Sequence, residues 1–138
     1  MTKPARVVFA EVHIFTGTAT LYVNLKELQK WTEDKLHMDP TKNPTIHNGF
    51  DIDTVKSIIE WQRRDVRKAR KEAKQIPSLL FVIDDQADDT RVMGSGLVRE
   101  LFMRGRHSHI STALSTQRMR SCDYMVRLQF TCLAQSRV

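Results

Sequence analysis

Two pairs of carboxylates follow an uninterrupted apolar run in the segment LLFVIDDQADD, residues 79 to 89. Asp84 and Asp85 come directly after five apolar residues, and Asp88 and Asp89 follow within the next four positions. In phosphate-cleaving sites a carboxylate at a strand end holds Mg²⁺, and a neighbouring carboxylate orients or deprotonates the attacking water. The structural alternative is that these acids end a strand and cap the next turn. Asp88 and Asp89 lack the spacing of an EF-hand loop and are interpreted as loop acids.

Polar residues that suit a phosphate also lie downstream of this segment. Residues 109 to 117, HISTALSTQ, alternate enough to predict a strand, and Gln117 at its end is placed to reach a γ-phosphate or its attacking water. The tetrapeptide RGRH precedes this strand. Arg104 and Arg106 within it can each bind a phosphate through two parallel N–H groups.

Histidine and tryptophan residues carry weaker signals. His107 and His109 have H-x-H spacing, but no Cys or acid stands at ligand spacing, so a structural role at the entry to a strand is favoured over a metal site. Trp31 and Trp61 are predicted to pack, with stacking on nucleic-acid bases as the alternative.

Apolar patterns predict the elements that must position these residues. LLFVID is predicted to be a fully buried parallel strand because both of its faces are apolar. A long helix is predicted from an N-cap at Asp53 to a stop at Pro77. The other predicted elements are a strand at 7–15, a helix at 21–36, a loop at 37–49, a loop at 86–96, a helix at 97–103, and strands at 109–117 and 125–134. This alternation predicts an α/β fold, a mostly parallel sheet flanked by helices, in a single domain spanning 1–138.

The long helix carries a concentrated basic run. Apolar residues recur along it with a 3.6-residue period, so the charged residues between them fall on its outer face. Two acids, Asp65 and Glu72, stand within the run. Its seven cations are Arg63, Arg64, Arg67, Lys68, Arg70, Lys71 and Lys74. Such a stripe is the electrostatic footprint of a polyanion binder, and it also occurs on solvated helix faces, so composition does not choose between the two.

Composition disfavours several classes of protein. With 138 residues, 41% apolar, 28% charged and a net charge of +6, the chain is typical of one soluble globular domain. No apolar run approaches the roughly 20 residues that a membrane span requires. The first residues lack the pattern of an export signal, and Cys122 and Cys132 lack the spacing of a metal site or a disulfide framework. An intracellular, non-secreted protein in a reducing compartment is therefore expected.

The segment from Leu79 to Gln117 resembles the poxvirus-type DNA-packaging ATPases of large DNA viruses and related mobile elements, within the FtsK/HerA group of P-loop ATPases. In that family an acidic pair forms the Walker B motif, RGRH opens the following strand, and the Gln at its end acts as a sensor. The likeness extends upstream to FAEVHIFTGTA and to the helix before Walker B. Downstream it includes VRLQFTCLAQSRV, with Arg127 and Arg137 near family-type positions.

The resemblance implies a partial P-loop NTPase core of the ASCE/RecA-like type that uses ATP and Mg²⁺. Asp84 would organise Mg²⁺, Asp85 would polarise the attacking water, and Gln117 would sense the γ-phosphate. Arg104 or Arg106 would act on a neighbour's ATP as an arginine finger. The partner would be double-stranded DNA, handled by a homo-oligomeric ring in the host cytoplasm, the nucleus or the virion.

The P-loop of that family does not occur in this sequence. No GxxxxGK[ST] is present, and the glycine-rich residues 94–96 have no following Lys and come after Walker B. We therefore expect the C-terminal portion of a DNA-packaging ATPase, N-terminally incomplete and inactive on its own. The alternative is a non-catalytic remnant that acts as a basic nucleic-acid-binding or assembly module. A phosphoacceptor receiver domain is set aside, because its acidic pair comes near the N-terminus and only 53 residues follow Asp85 here.

Overall fold

Strands and helices alternate along the chain. A computed structural model describes residues 9–17, 23–84 and 89–115. Its elements are β1 (Glu11–Thr16), α1 (Val23–Leu36), β2 (Ile46–Asn48), α2 (Ile52–Lys71), β3 (Leu79–Asp84), α3 (Thr90–Gly94), α4 (Leu97–Arg104), a 3₁₀ segment (Gly105–Ser108) and β4 (Ile110–Ser115). None of the helices within these ranges is both long and apolar enough to cross a membrane.

The four strands form one sheet in the order β2-β1-β3-β4, and every pairing is parallel. All six residues of β3 pair with the six residues of β1 on one side and with the six residues of β4 on the other. The predicted α/β fold, a parallel sheet flanked by helices, is confirmed. The strand predicted at 125–134 lies outside the described residues.

The main core lies on the face of the sheet that α2, α3 and α4 cover. The connection from β1 to β2 moves towards one side of the sheet, whereas the connections from β2 to β3 and from β3 to β4 move towards the other side. Because all of these parallel connections are right-handed, α1 lies on the opposite face of the sheet from α2, α3 and α4. The buried cluster comprises Phe15, Phe50, Val55, Ile59, Leu79, Phe81, Ile83, Val92, Leu97, Val98, Leu101 and Ile110. Full burial of β3 holds for the face that Leu79, Phe81 and Ile83 share, whereas the residues between them are half-buried.

The start of α2 differs from the prediction by two residues. Asp51, rather than Asp53, is the N-cap, because Asp51 has extended backbone and its carboxylate accepts a hydrogen bond from Thr54 N at 3.1 Å. Asp53 lies in the first turn, where its charge still favours the positive end of the helix dipole.

The end of α2 comes well before Pro77, which was predicted to stop the helix. α2 ends at Lys71 because Ala73 adopts left-handed backbone with φ of 51°. The amides of Ala73 and Lys74 bond back to carbonyls in the last turn, Lys74 N reaching Ala69 O at 2.9 Å. This is a Schellman arrangement with alanine at the position that glycine usually occupies.

Two short elements occur where loops were predicted. β2 occupies Ile46–Asn48 within the predicted loop at 37–49, where it pairs with the end of β1. α3 occupies Thr90–Gly94 within the predicted loop at 86–96. With three and five residues, both are too short for periodicity to reveal.

A buried polar side chain of α2 holds the amino ends of β3 and β4. Gln62 is 3% exposed, and its Nε2 donates to Pro77 O at 2.8 Å and to Ser108 O at 3.0 Å. The two carbonyls precede β3 and β4, so one amide fixes both strand entries against the helix. The 3₁₀ segment consequently packs tightly, and Gly105 lies close to the backbone of Ile110.

Gly105→Ala should destabilise the fold at this close approach. A Cβ on Gly105 would lie 2.8 Å from the carbonyl oxygen of Ile110, so the backbone must shift. We expect the free energy of unfolding, measured by urea denaturation, to fall by about 1–3 kcal/mol. Gly94→Ala is the control, because a Cβ there meets open space, and it should be neutral or stabilise by up to about 1 kcal/mol. Equal losses in the two variants would contradict the tight packing.

Candidate functional site

The last residues of the four strands form a row of polar side chains. The parallel register places Asn48, Thr16, Asp84 and Ser115 next to one another at the ends of β2, β1, β3 and β4. We call this row the carboxyl edge. Open α/β sheets bind their ligands at the carboxyl ends of the strands, so this edge is the first candidate for a site.

Asp84 is held at the carboxyl edge by the neighbouring strand. Thr16 Oγ1 donates to Asp84 Oδ2 at 3.2 Å, and Thr16 is 1% exposed. Asp84 is half-buried, so its carboxylate has a fixed neighbour and still reaches the surface. A carboxylate in that position suits the coordination of a cation that also contacts a bound phosphate.

The described residues fit Mg²⁺ bound through few protein ligands. In nucleotide sites Mg²⁺ is usually held by one or two carboxylates, while water and phosphate oxygens supply the other ligands. Asp84 provides one such carboxylate. Within residues 9–17, 23–84 and 89–115, no group of three or more His, Cys, Asp or Glu residues is arranged to hold a metal ion. A magnesium ion at this edge would therefore depend on its phosphate ligand.

Two predicted catalytic residues lie outside the described residues. Asp85 follows Asp84 directly in the sequence, and Gln117 comes two positions after Ser115, the last described residue of β4. β4 begins at Ile110 rather than at His109. Their roles as the water-polarising acid and the sensor stay predictions. Asp88 also falls outside the described ranges.

Asp89 has a structural role as a helix cap. Its Oδ1 accepts a hydrogen bond from Arg91 N at 2.9 Å at the start of α3, and its carboxylate lies 3.6 Å from the Arg91 guanidinium. The hydrogen bond from the Arg91 amide lowers the pKa of Asp89. The sequence left open whether the acids of residues 84–89 bind a cation or only cap the next turn. Asp89 does the latter, because it caps α3.

Arg104 and Arg106 lie at the opposite edge of the sheet from Asp84. α4 leads the chain back from the carboxyl edge to the amino edge, and RGRH lies at the end of α4 and in the 3₁₀ segment before β4 rather than opening the strand. At about 3.3 Å per residue, the six residues of β3 separate the two edges by roughly 17 Å. Both arginines are exposed, and the fold does not bring them to the Asp84 of their own chain.

The outer face of α2 carries six of the seven cations of the basic run, opposite the buried stripe that includes Val55, Ile59 and Val66. The seventh, Lys74, follows the end of α2, and all seven are exposed. The predicted packing of the tryptophans is wrong, because Trp31 and Trp61 are 46% and 60% exposed.

A buried polar cluster that was not anticipated joins β1 to β2. His13 is fully buried, with Nδ1 3.0 Å from Nε2 of His47 and Nε2 3.0 Å from Oε2 of Glu11. The rings of Phe15 and Phe81 pack around His13. The available signal was the placement of Glu11 and His13 on one face of an otherwise apolar strand, but the partner His47 lies 34 residues away.

Two hydrogen bonds join the three side chains of this cluster. His13 Nε2 donates to the Glu11 carboxylate, and one of the facing nitrogens, His13 Nδ1 and His47 Nε2, donates to the other. His47 is also hydrogen-bonded to the backbone of Pro44. Burial is the main cause that lowers the pKa of His47 to about 4. The charge of His13 also lowers this pKa, whereas the hydrogen bond with the backbone of Pro44 raises it. The hydrogen bond from His13 lowers the pKa of Glu11, against the effect of burial.

Comparison with known proteins identifies no relative. No protein family, no curated protein and no solved structure matches the chain. Function must therefore be argued from the residues and their geometry.

The His47 site should make the fold sensitive to mild acid. With a pKa near 6.5 unfolded and about 4 folded, His47 binds more protons in the unfolded state, so stability is full above pH 6.5 and falls towards pH 4. Allowing for partial exposure, we expect the free energy of unfolding to drop by about 2 kcal/mol over that window. His47→Gln should remove most of this drop, whereas His107→Gln, at an exposed position, should keep it. Chemical denaturation at a series of pH values checks both. The same pH profile for parent and His47→Gln would refute the assignment.

Proposed function

We propose that this chain belongs to the core of a DNA-packaging or DNA-translocating ATPase and that the nucleotide binds at the carboxyl edge. The observation that supports the proposal is the contact between Thr16 and Asp84 at the ends of adjacent parallel strands. It gives the first acid of IDDQADD the fixed, accessible position that a Mg²⁺ ligand needs, at the edge where α/β sheets bind ligands. The resemblance of residues 79–117 to Walker B and sensor segments supplies the choice of ATP.

The proposed division of labour at this edge assigns one task to each polar residue. Asp84 holds the cation that neutralises phosphate charge, and Thr16 orients the Asp84 carboxylate through its hydroxyl. Asp85 accepts the proton of the attacking water or orients it, and Gln117 contacts the γ-phosphate. The backbone amides and Lys of a P-loop, which this sequence lacks, must complete the phosphate cradle.

The position of Arg104 and Arg106 bears on the proposed ring. Because both lie about one strand length from the carboxyl edge of their own chain, an arginine finger from this segment would have to serve a neighbouring subunit. A homo-oligomeric ring is therefore the assembly that this proposal requires.

A second candidate is a nucleic-acid-binding or assembly module without catalysis. The exposed basic run of α2 favours it, because that surface needs no nucleotide to bind a polyanion. The two candidates differ in one measurable property, which is ATP hydrolysis once a P-loop is supplied.

Substitutions at the carboxyl edge should separate binding from turnover. In a fusion that adds an upstream P-loop segment, Asp84→Asn should weaken Mg-dependent ATP binding as well as hydrolysis. Asp85→Asn and Gln117→Ala should leave ATP bound and slow hydrolysis by on the order of 10²-fold, since these residues act mainly in the transition state. Thr16→Val should weaken Mg-ATP binding by about threefold to tenfold through loss of the orienting hydrogen bond. Equilibrium nucleotide binding and steady-state hydrolysis are measured on each variant.

Asp89→Asn is the matched control for these substitutions. It makes the same chemical change at an acid that caps α3, and asparagine caps a helix as well as aspartate does. We expect parent activity in this variant. If Asp85→Asn and Gln117→Ala also hydrolyse ATP at the parent rate, the acids only end a strand and the ATPase proposal fails.

DNA binding by the chain should depend strongly on salt and little on sequence. If about five phosphates are neutralised, the logarithm of the association constant should fall with the logarithm of salt concentration at a slope of about −4 to −5. Fluorescence anisotropy with two duplexes of unrelated sequence measures this slope. If salt does not change the affinity, the prediction is wrong and the basic run is an ordinary solvated helix face.

A further inference from the structure

Five arginines belong to the elements that meet where α2 lies beside α4 and the 3₁₀ segment, and two of them, Arg63 and Arg104, line a common cavity there. α2 contributes three of them at successive spacings of four and three residues, so they form one stripe along the helix. The end of α4 and the 3₁₀ segment contribute the other two. All five are exposed: Arg63, Arg67, Arg70, Arg104 and Arg106. We call this set the arginine seam.

Contacts between the two sides keep the seam together. Arg63 Nη2 donates to Glu100 Oε1 at 2.6 Å, and Arg63 and Arg104 line the same small cavity. The helices α2 and α4 both run from the carboxyl edge to the amino edge. Arg67 lies one turn beyond Arg63, and Arg104 lies one turn beyond Glu100, so these two arginines fall at the same level. The bonds of Gln62 hold the 3₁₀ segment against α2.

The charge of the seam is largely uncompensated. Among the described residues, Arg63 is the member of the seam that has an ion-pair partner, and that partner is Glu100. Guanidinium groups suit phosphate because each presents two parallel N–H donors to two oxygens. Cations so close together repel one another, and a polyanion relieves that repulsion.

We propose that the arginine seam is the surface that binds the phosphate backbone of double-stranded DNA. From Arg63 to Arg70 the helix rises roughly 10 Å, the length of about three phosphates along one strand. Arg104 and Arg106 add a second row beside the first. The inference rests on the proposed DNA-translocating function and locates its DNA contact at the seam instead of over the whole outer face of α2. Arg104 and Arg106 then contact DNA instead of serving as arginine fingers, and DNA and nucleotide occupy opposite edges of the sheet of one chain.

Two triple variants of equal charge test the proposal. The seam variant is Arg67→Gln, Arg104→Gln and Arg106→Gln, which leaves the Arg63–Glu100 ion pair intact. The control variant is Arg64→Gln, Lys68→Gln and Lys71→Gln, three exposed cations on the part of α2 that faces away from α4. Binding of a mixed-sequence 30-base-pair duplex is measured by anisotropy over a range of salt concentrations. Circular dichroism and urea denaturation check that both variants remain folded.

The seam variant should lose at least about tenfold in affinity, and its salt slope should flatten by about two to three. The control variant should lose less than about threefold. Equal losses would overturn the seam while leaving DNA binding by the chain intact. Failure of the parent chain to bind the duplex would overturn the DNA component of the proposed function as well. A competition experiment adds polyglutamate at a concentration that supplies as many negative charges as the duplex. Displacement of the duplex would also overturn the proposal, since the seam would then bind any polyanion.

Discussion

β3 is hydrogen-bonded in register to β1 on one side and to β4 on the other, and most other features of the molecule follow from this double pairing. It places Asp84 between Thr16 and Ser115 and fixes the contact through which Thr16 orients the carboxylate. It also aligns Leu79, Phe81 and Ile83 towards α2 and α4, where they form the centre of the core. A slip of one residue would exchange the two faces of the strand, so burial and site geometry depend on the same register.

The parallel arrangement also divides the charges of the molecule between two edges. α2, α3 and α4 begin on the side of the acids, so the positive ends of their dipoles lie towards the proposed phosphate site. α2 and α4 end on the other side, where Lys68, Arg70, Lys71 and Arg104 fall in their last turns. Cations there complement the negative ends of the helices, which gives part of the basic surface a stabilising role independent of any ligand.

Prediction from sequence succeeded where the pattern was local and strong. LLFVID has the predicted bounds, and α4 differs from its predicted end by one residue. The end of α2 was not predictable in this way, because it depends on left-handed backbone at Ala73, a residue with high helix propensity. β2 is too short for its pattern to distinguish it from a loop.

Side-chain contacts between distant segments set the other limit on prediction. The contact of His13 with His47 requires the pairing of two strands that no local rule identifies. The separation of Arg104 from Asp84 follows from topology instead. A helix between two parallel strands must return the chain to the edge where the first strand began, and RGRH stands at the end of that return.

The hydrogen bond between His13 and His47 helps to fix the register of the short strand β2 against β1. Three residues of backbone pairing hold a strand weakly, and the half-buried Ile46 is the single apolar residue of β2 that could fix its register. Moving β2 by one residue would turn His47 to the other side of the sheet and leave the buried Nδ1 of His13 without its hydrogen-bond partner. That loss, on the order of 1–3 kcal/mol for a buried polar atom, makes the misaligned sheet the less populated state. The hydrogen bond between two polar rings inside an aromatic cluster thus favours the observed alignment of β2 over alignments shifted by one residue.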